Sequence, residues 1–478
     1  MFMKNKIVIG LISCFTIFSL MSGSLAGSIF QAEEPINQHH ELLIITPSLF
    51  EESLQPLVDH KENIGMSAHL VTLETIQQHP STTQGRDDAE KMKYYIKYAV
   101  EEYDSSYVLL VGGKKGQFGQ WHLPVRYVNM DNDWEAHYVS DLYFADIYDG
   151  QGHFSTWDSD NDGNYGEWEE GMIPEDKHID LYPDVSLGRL PCRNIGEVET
   201  VVEKIISYET ETKTQSRFDN MLVIAGDTYL ESLNPLWTGN EGEEFAEEAL
   251  DIMSDFTPTR MYLSENGFSG PTDVINEFNN GYGFVYFVGH GSPKSWGTHK
   301  PNDPAFVDGL NTNDMNKLQN NELYPVCVVS GCHNCQFDVG LDKLVSGFLE
   351  YGLDFITDKL IFRYEWIPKG WGWLMTNQEQ AGSIVTYGTT ALGHTREDKD
   401  SFTGGINELE ISLFDQYGTN EIDHAGDILK ESLHWYLDTY SIDWMTTNET
   451  LLKDTWVDVQ VCQSYMLMGD PSLKIGGY

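Results

Sequence analysis

Two apolar runs in the second half of the chain end in turns of small residues, and each turn carries one reactive side chain. The first reads Phe284-Val285-Tyr286-Phe287-Val288-Gly289-His290-Gly291-Ser292, the second Val326-Cys327-Val328-Val329-Ser330-Gly331-Cys332-His333-Asn334. Short apolar runs of this kind predict buried strands, and in open α/β sheets ligands bind beyond the carboxyl ends of the strands. A thiol and an imidazole delivered to one such edge are the parts of a Cys-His pair. In that reading Cys332 attacks a carbonyl, His290 carries the proton to the leaving amine, and the backbone N–H groups of Gly291 and Cys332 hold the oxyanion. Spacing alone leaves a second possibility open, because a His or Cys that ends a buried strand is often only packed there. A third comes from Cys332-His333-Asn334-Cys335, a C-x-x-C that on its own suggests a redox dithiol or half a zinc site. No second cluster at C-x-x-C spacing exists to complete a zinc site, so thiol-disulfide chemistry is the alternative that stays.

A different motif lies upstream. Residues 158–169 follow the D-x-[DN]-x-[DN]-G-x(5)-E pattern of a calcium loop in full. Asp158, Asp160 and Asp162, the carbonyl of Asn164 and a bidentate Glu169 would supply the oxygens, with Gly163 making the sharp turn. Glycines at 150, 152 and 171 and Pro174 argue against flanking helices, so a structural calcium site is expected rather than a sensor. Nothing points to an organic cofactor.

These residues need a scaffold, and the patterning predicts an α/β one. Strand-like runs fall at 42–46, 68–73 and 107–111, with helical periodicity at 54–61 and 92–103 between them. After an Asp-, Gly-, Trp- and Tyr-rich stretch over 129–191 come a strand at 185–190 and a helix at 198–208. The polar run 209–216 reads as a linker. The pattern then restarts, with strands at 221–225, 283–288, 326–330 and 384–388, a helix at 243–253 and further helices within 406–437. Alternation of this kind predicts mostly parallel sheets flanked by helices. The expected division is a signal peptide at 1–26, an N-terminal subdomain at 27–216 carrying the calcium loop, and a C-terminal catalytic subdomain at 217–478.

The signal reading rests on Lys4 and Lys6, the apolar run 7–20 and the small residues ending at Ala26. It implies a secreted or extracytoplasmic protein with no stable membrane anchor once the signal is removed. Loss of Cys14 would leave Cys192, Cys327, Cys332, Cys335 and Cys462, an odd number in an exported chain. The charge balance, 29 basic against 75 acidic residues for a net −46, excludes nucleic acid as a partner. With 40% hydrophobic and 12% aromatic residues the chain nonetheless carries ample core-forming material.

The segment Gly289-His290-Gly291-Ser292 with Trp296-Gly297, the strand ending at Cys332 with Asn334 and Phe337 beyond, and the closing Gly469-Asp470-Pro471-Ser472-Leu473 together resemble the gingipain family of cysteine peptidases, in the caspase-like clan. Ser140-Asp141-Leu142-Tyr143 and Gly188-Arg189-Leu190 extend the resemblance, which runs from about 41 to 473. It implies two caspase-like α/β subdomains side by side, with Cys332 as nucleophile, His290 as general acid or base, and Gly291 in the oxyanion hole. Protein or peptide substrates follow, and arginine-specific members place an acidic side chain between the 221–225 strand and the next helix. Glu241, Glu243 and Glu244 occupy that stretch here, with Glu244 a candidate for the pocket. Trp296 is a candidate cleft wall or a core residue, and Asp227 either orients His290 or is a solvated loop carboxylate. His333 and Cys335 depart from the family pattern, which usually has an apolar and a small residue there. A catalytically silent binding module on the same fold is the remaining alternative.

Overall fold

In the computed structural model, which describes residues 39–131, 135–231, 240–353, 365–395, 404–440, 442 and 449–478, ten strands join edge to edge in one sheet. The proposed signal peptide and Cys14 lie outside the described residues. In chain order the strands that matter are β1 (Leu42–Thr46), β2 (Ala68–Thr72), β3 (Tyr107–Val111), β4 (Ser186–Leu190), β5 (Asn220–Ala225), β6 (Thr257–Tyr262), β7 (Phe284–Val288), β8 (His290–Gly291), β9 (Ser295–His299), β10 (Phe306–Asn311), β11 (Val326–Ser330), β12 (Val385–Thr389) and β13 (Tyr465–Met468). The sheet order is β6-β5-β7-β11-β12-β13-β4-β3-β1-β2, while β8, β9 and β10 form a separate antiparallel sheet beyond the end of β7. Every neighbouring pair in the large sheet is parallel except β12 with β13. The strands β1, β3, β4, β7, β11 and β12 are buried along their whole length, as expected of parallel strands covered by helices on both faces. The chain is thus a mixed α/β protein built on a large, mostly parallel sheet flanked by helices.

Among the helices are α1 (Glu51–Asn63), α2 (Asp88–Tyr103), α3 (Ile195–Glu211) and α4 (Glu241–Ile252). Local chemistry sets their ends: Asp87 accepts the Glu90 N–H at 2.8 Å to cap α2, and Asn194 accepts that of Glu197 at 3.1 Å to cap α3. Val198, Val201, Val202 and Ile205 form the buried stripe of α3, which packs against α1.

The structure departs from the sequence reading in three places. The run 209–216 is not a linker at its start: α3 continues to Glu211, and Glu209 is buried, bonded to Lys61 at 2.8 Å and to His60 at 2.8 Å. A polar run resembles a linker only until its charges find internal partners. The hairpin β9–β10 and the strand β6 carry polar, partly exposed sequences with little apolar signal. Most consequentially, β13 is only four residues long and follows directly on a helix ending at Ser464, yet it is the strand that joins β4 to β12.

The matched residues Asp141 and Arg189 have a structural reason for their presence. The Arg189 guanidinium, wholly buried, donates to Asp141 at 2.6 and 2.8 Å and to the Gly112 carbonyl at 3.2 Å. This two-pronged pair ties the end of β4 to the loop before it.

Candidate active site

The register of two neighbouring strands brings the thiol and the imidazole to one edge. In the parallel pair β7–β11, Val288 lies opposite Ser330. His290 and Cys332 each follow two residues later, so both turns emerge side by side. Their contact is intimate: a Cβ built on Gly291 would stand 2.7 Å from the Cys332 carbonyl oxygen and 1.9 Å from Asn334 Oδ1. Only glycine fits there. Asn334 fastens the turns by donating from Nδ2 to the carbonyls of Ser292 at 3.0 Å and Ser295 at 3.2 Å. The Cys332 turn is also hung from the end of β12, through His333 N–H to Ala391 O at 2.8 Å and Cys335 N–H to Thr389 O at 2.9 Å.

Trp296 holds the same turn from below. Its Nε1 donates to the Ser330 carbonyl at 3.1 Å, and its ring is 0% exposed against Phe287. A ring without solvent exposure does not line an open cleft, so of the two readings of Trp296 the core one holds: it supports the strand that leads to Cys332.

Burial acts on both side chains in the direction that disfavours charge. Burial lowers the His290 pKa, against the raising effect of the Thr228 carbonyl that sits 2.8 Å from Nε2. His299 beside it lowers it further and Asp227 raises it. Burial pushes the Cys332 thiol up; the Gly393 N–H, which donates to Sγ at 3.3 Å, works the other way, and the charge of Glu135 adds to the rise. Glu135 itself is buried, accepts the Leu392 N–H at 3.0 Å, and lies 3.7 Å from His333 Nε2. Both shifts run in the direction that burial dictates, against the charged form of each group.

That arrangement carries a prediction. Glu135→Gln removes a negative charge that opposes the thiolate, while its amide oxygen still accepts from Leu392. The rate of Cys332 alkylation by iodoacetamide is expected to climb with pH toward and beyond the ordinary thiol range, and the variant's curve to lie at lower pH. A curve unmoved by the substitution would show that Glu135 does not act on the thiol.

Asp227 is buried, but it does not touch the imidazole, whose bonded partner is the neighbouring Thr228 carbonyl. Asp227 Oδ2 instead accepts the Asn302 N–H at 2.7 Å, and its N–H donates to His299 O at 3.0 Å, which shapes the loop around His290. Of the acidic residues at the start of α4, Glu244 is exposed, Glu243 accepts from Ser264 at 2.9 and 2.6 Å, and Glu241 is buried. Burial, with Asp227 nearby, raises Glu241 to about 7. Tyr229 donates its N–H to Glu241 at 3.4 Å, and its ring lies 6.5 Å from that of His290. Asn334 was visible in the matched turn. Thr228 and Gly393 act through backbone atoms, and Glu135 arrives from a distant loop, so no sequence signal marks these three.

The two cysteines of the C-x-x-C part company. Both are free, and Cys335 is wholly buried beneath β12, where a Cβ on Gly372 or Gly388 would stand 2.9 or 3.0 Å from its sulfur. Burial raises its thiol far above the ordinary range.

In the acidic loop, Asp158, Asp160 and Asp162 each offer an oxygen within 4.8 Å of the others. Gly163 makes the turn at φ 94°. Asp158 also bonds Arg86 at 2.7 Å and accepts from Asp162 and Gly163, and Asn164 N–H donates to Asp162 at 2.8 Å. Glu169, expected as the last ligand, stands apart from this cluster. It is exposed on a two-residue strand with Asp131 opposite, because the chain leaves the loop as a strand and not as a helix. Asp176 braces the loop instead, accepting from Ser159 at 2.5 Å and Glu167 at 3.1 Å.

A sheet of this topology with a Cys turn and a His turn on adjacent strand ends defines a caspase-like cysteine peptidase scaffold. Residues 36–476 match peptidase family C25, and the chain belongs to that gingipain family. It is 22% identical over 303 residues to gingipain R2 of Porphyromonas gingivalis, a stretch covering 63% of this chain and 33% of that protein. It is also 25% identical over 271 residues to an uncharacterized protein of Archaeoglobus fulgidus, covering 53% of this chain and 59% of that one. The chain therefore spans about a third of the length of the curated gingipain it matches. Its fold is similar to the crystal structure of the Arg-specific cysteine proteinase gingipain R, with a TM-score of 0.57 and 18% identity over 92% of this chain and 79% of that one. The complex of Porphyromonas gingivalis RgpB pro- and mature domains gives a TM-score of 0.57 at 17% identity, covering 91% and 79%.

Proposed function

We propose that this chain is an exported cysteine endopeptidase in which Cys332 is the nucleophile and His290 the proton carrier. The observation that carries the reading is the β7–β11 register, with Gly291 packed on the Cys332 carbonyl. In the proposed reaction Cys332 Sγ bonds to the scissile carbonyl carbon as its proton passes to His290. The oxyanion is held by the N–H groups of Gly291 and Cys332, and His290 gives the proton to the leaving amine as the C–N bond breaks. Water then attacks the acyl-enzyme, yielding its proton through His290 to the departing thiolate, which restores the thiol. A redox dithiol is disfavoured by the enclosure of Cys335. The halves 27–216 and 217–478 are read as the two subdomains, only the second supplying the dyad.

Two finer points belong to the same reading. The relative named as Arg-specific supports substrates with a basic residue at the cleavage site, and Glu241, a buried carboxylate at the start of α4 that accepts the Tyr229 N–H at 3.4 Å, is suited to meet it. The three converging carboxylates of the 158–162 loop suit a hard, oxygen-seeking cation, so Asp158, Asp160, Asp162 and the Asn164 carbonyl would hold a structural Ca2+. Such an ion would stiffen the loop and has no part in the bond-breaking steps.

The test is to incubate the full chain with an internally quenched peptide library in calcium and reductant, and to map a peptidyl ketone inhibitor by mass spectrometry. Turnover, with the label on Cys332, is expected. Absence of turnover by folded protein, also after limited proteolysis of its N-terminal segment, would overturn the reading. Chelation is expected to lower the melting temperature, and no change would reject the calcium assignment.

A further inference from the structure

The His290 ring is flanked by an aromatic side chain that stays nearly half exposed although it packs on its neighbours. Phe306, the first residue of β10, is 46% exposed, yet its ring lies 6.2 Å from that of His290 at 48° and 5.3 Å from that of His299 at 81°. The hairpin makes room for it: a Cβ on Gly297 would come within 2.5 Å of the Phe306 ring. Pairing across β9–β10 sets Phe306 opposite His299 and so fixes its position. Leaving an apolar ring this exposed forgoes the stabilisation of burial, and a ligand that covers it would recover that stabilisation.

Which part of a substrate would cover it follows from the chemistry of its neighbour. His290 hands its proton to the leaving amine, so the chain on the leaving side of the scissile bond passes the imidazole. The acyl side remains attached to Cys332. We propose that Phe306 forms an apolar subsite for the first or second residue after the scissile bond, giving the enzyme a preference for peptides with a large apolar or aromatic side chain there. This inference rests on the peptidase reading for its direction, and it adds a specificity determinant separate from the acidic residues at the start of α4. The mode is ring-on-ring contact, with Phe306 and His299 as an edge-to-face pair against which a third apolar group packs.

The experiment compares peptides that are identical up to the scissile bond and carry Phe, Leu or Gly at the two positions after it. With wild-type protein, kcat/KM is expected to be about tenfold higher for Phe or Leu than for Gly, the usual scale of an apolar pocket. Phe306→Ala should bring that ratio to about one, Phe306→Leu should keep most of it, and the preference before the scissile bond should stay as in wild type. A wild-type ratio near one, or a ratio unchanged in Phe306→Ala, would overturn the proposal, as would a change confined to the acyl side. Binding of the same peptides to Cys332→Ala protein, measured by calorimetry, separates the two levels of inference. If wild-type protein cleaves nothing but the Cys332→Ala form still binds the Phe peptide more tightly than the Gly peptide, and loses that difference with Phe306→Ala, the peptidase reading fails and the subsite stands. If cleavage proceeds without any dependence on Phe306, the subsite fails and the peptidase reading stands.

Discussion

Cys332→Ala is expected to lower kcat/KM for peptide cleavage by about 10⁴-fold or more, whereas Cys335→Ala should leave it within about threefold of wild type. The two residues are three apart, and the contrast comes wholly from where the turn sends their sulfurs. Cys332 Sγ receives the Gly393 N–H at 3.3 Å, beside the Gly291 turn, and the side chain is partly exposed. Cys335 is directed under β12 against Gly372 and Gly388 and has no path to substrate. Loss of its sulfur would open a small cavity, a cost of about 1 kcal/mol that a melting curve would register without a matching loss of activity. Nucleophile replacement removes the acyl-enzyme route outright, while the oxyanion donors and binding groups remain. Kinetics of both variants on one peptide decides the matter. Equal, large losses in folded Cys332 and Cys335 variants would mean that Cys335 takes part in peptide cleavage, and would overturn its assignment as an enclosed, packed thiol.

How much of this was legible beforehand can be read residue by residue. Strands such as 107–111 and 326–330 announce themselves because parallel strands buried on both faces are runs of apolar residues. His290 and Cys332 were legible for the same reason: each ends such a run within a turn of small residues. β13 was not, since four residues give no period and its place is fixed by partners β4 and β12, which lie far apart in the chain, at 186–190 and 385–389. Glu135 was hidden for a related reason, because its bond to the Leu392 N–H and its approach to His333 exist only after the sheet has assembled. Trp296 stayed open between cleft and core because an aromatic residue near a site has one composition whether it faces solvent or core, and only its burial and its bond to the Ser330 carbonyl distinguish the two. The calcium motif matched at every position, yet Glu169 fell outside the cluster, because the motif encodes spacing and a helix after the loop is what turns its last residue inward.

Lys61→Met is expected to destabilise the fold by about 3–5 kcal/mol, the scale of removing one partner from a buried ion pair. Lys61 is 0% exposed in α1, and its Nζ lies 2.8 Å from Glu209 of α3 and 2.9 Å from Asp470, in the turn that follows β13. Burial alone would lower the pKa of such an amine; the charges of Asp470 and Glu209 outweigh it and hold the pKa above its ordinary value. Burial would likewise raise the Glu209 carboxyl, and Lys61 together with His60 keeps it below the ordinary range. Asp470 in turn accepts the Ser472 N–H at 2.9 Å and its hydroxyl at 2.7 Å, and Glu209 accepts the Lys474 N–H at 3.1 Å. One ammonium therefore joins the first helix, the helix that ends the N-terminal half, and the closing segment Gly469-Asp470-Pro471-Ser472-Leu473. The apolar variant would leave two carboxylates buried without their cation, so the cost is one of stranded charge and not of lost packing. Denaturant unfolding of Lys61→Met beside the triple variant Lys61→Met, Glu209→Gln, Asp470→Asn separates the two, because neutralising the carboxylates should return a large part of the loss. A single variant that costs less than about 1 kcal/mol, or a triple variant no better than the single, would remove the network from the account of what holds β13 between β12 and β4. The position of that strand matters for the candidate site as well as for stability, since β12 beside it ends at Thr389, and the carbonyls of Thr389 and of Ala391 just beyond are those from which the Cys332 turn is hung.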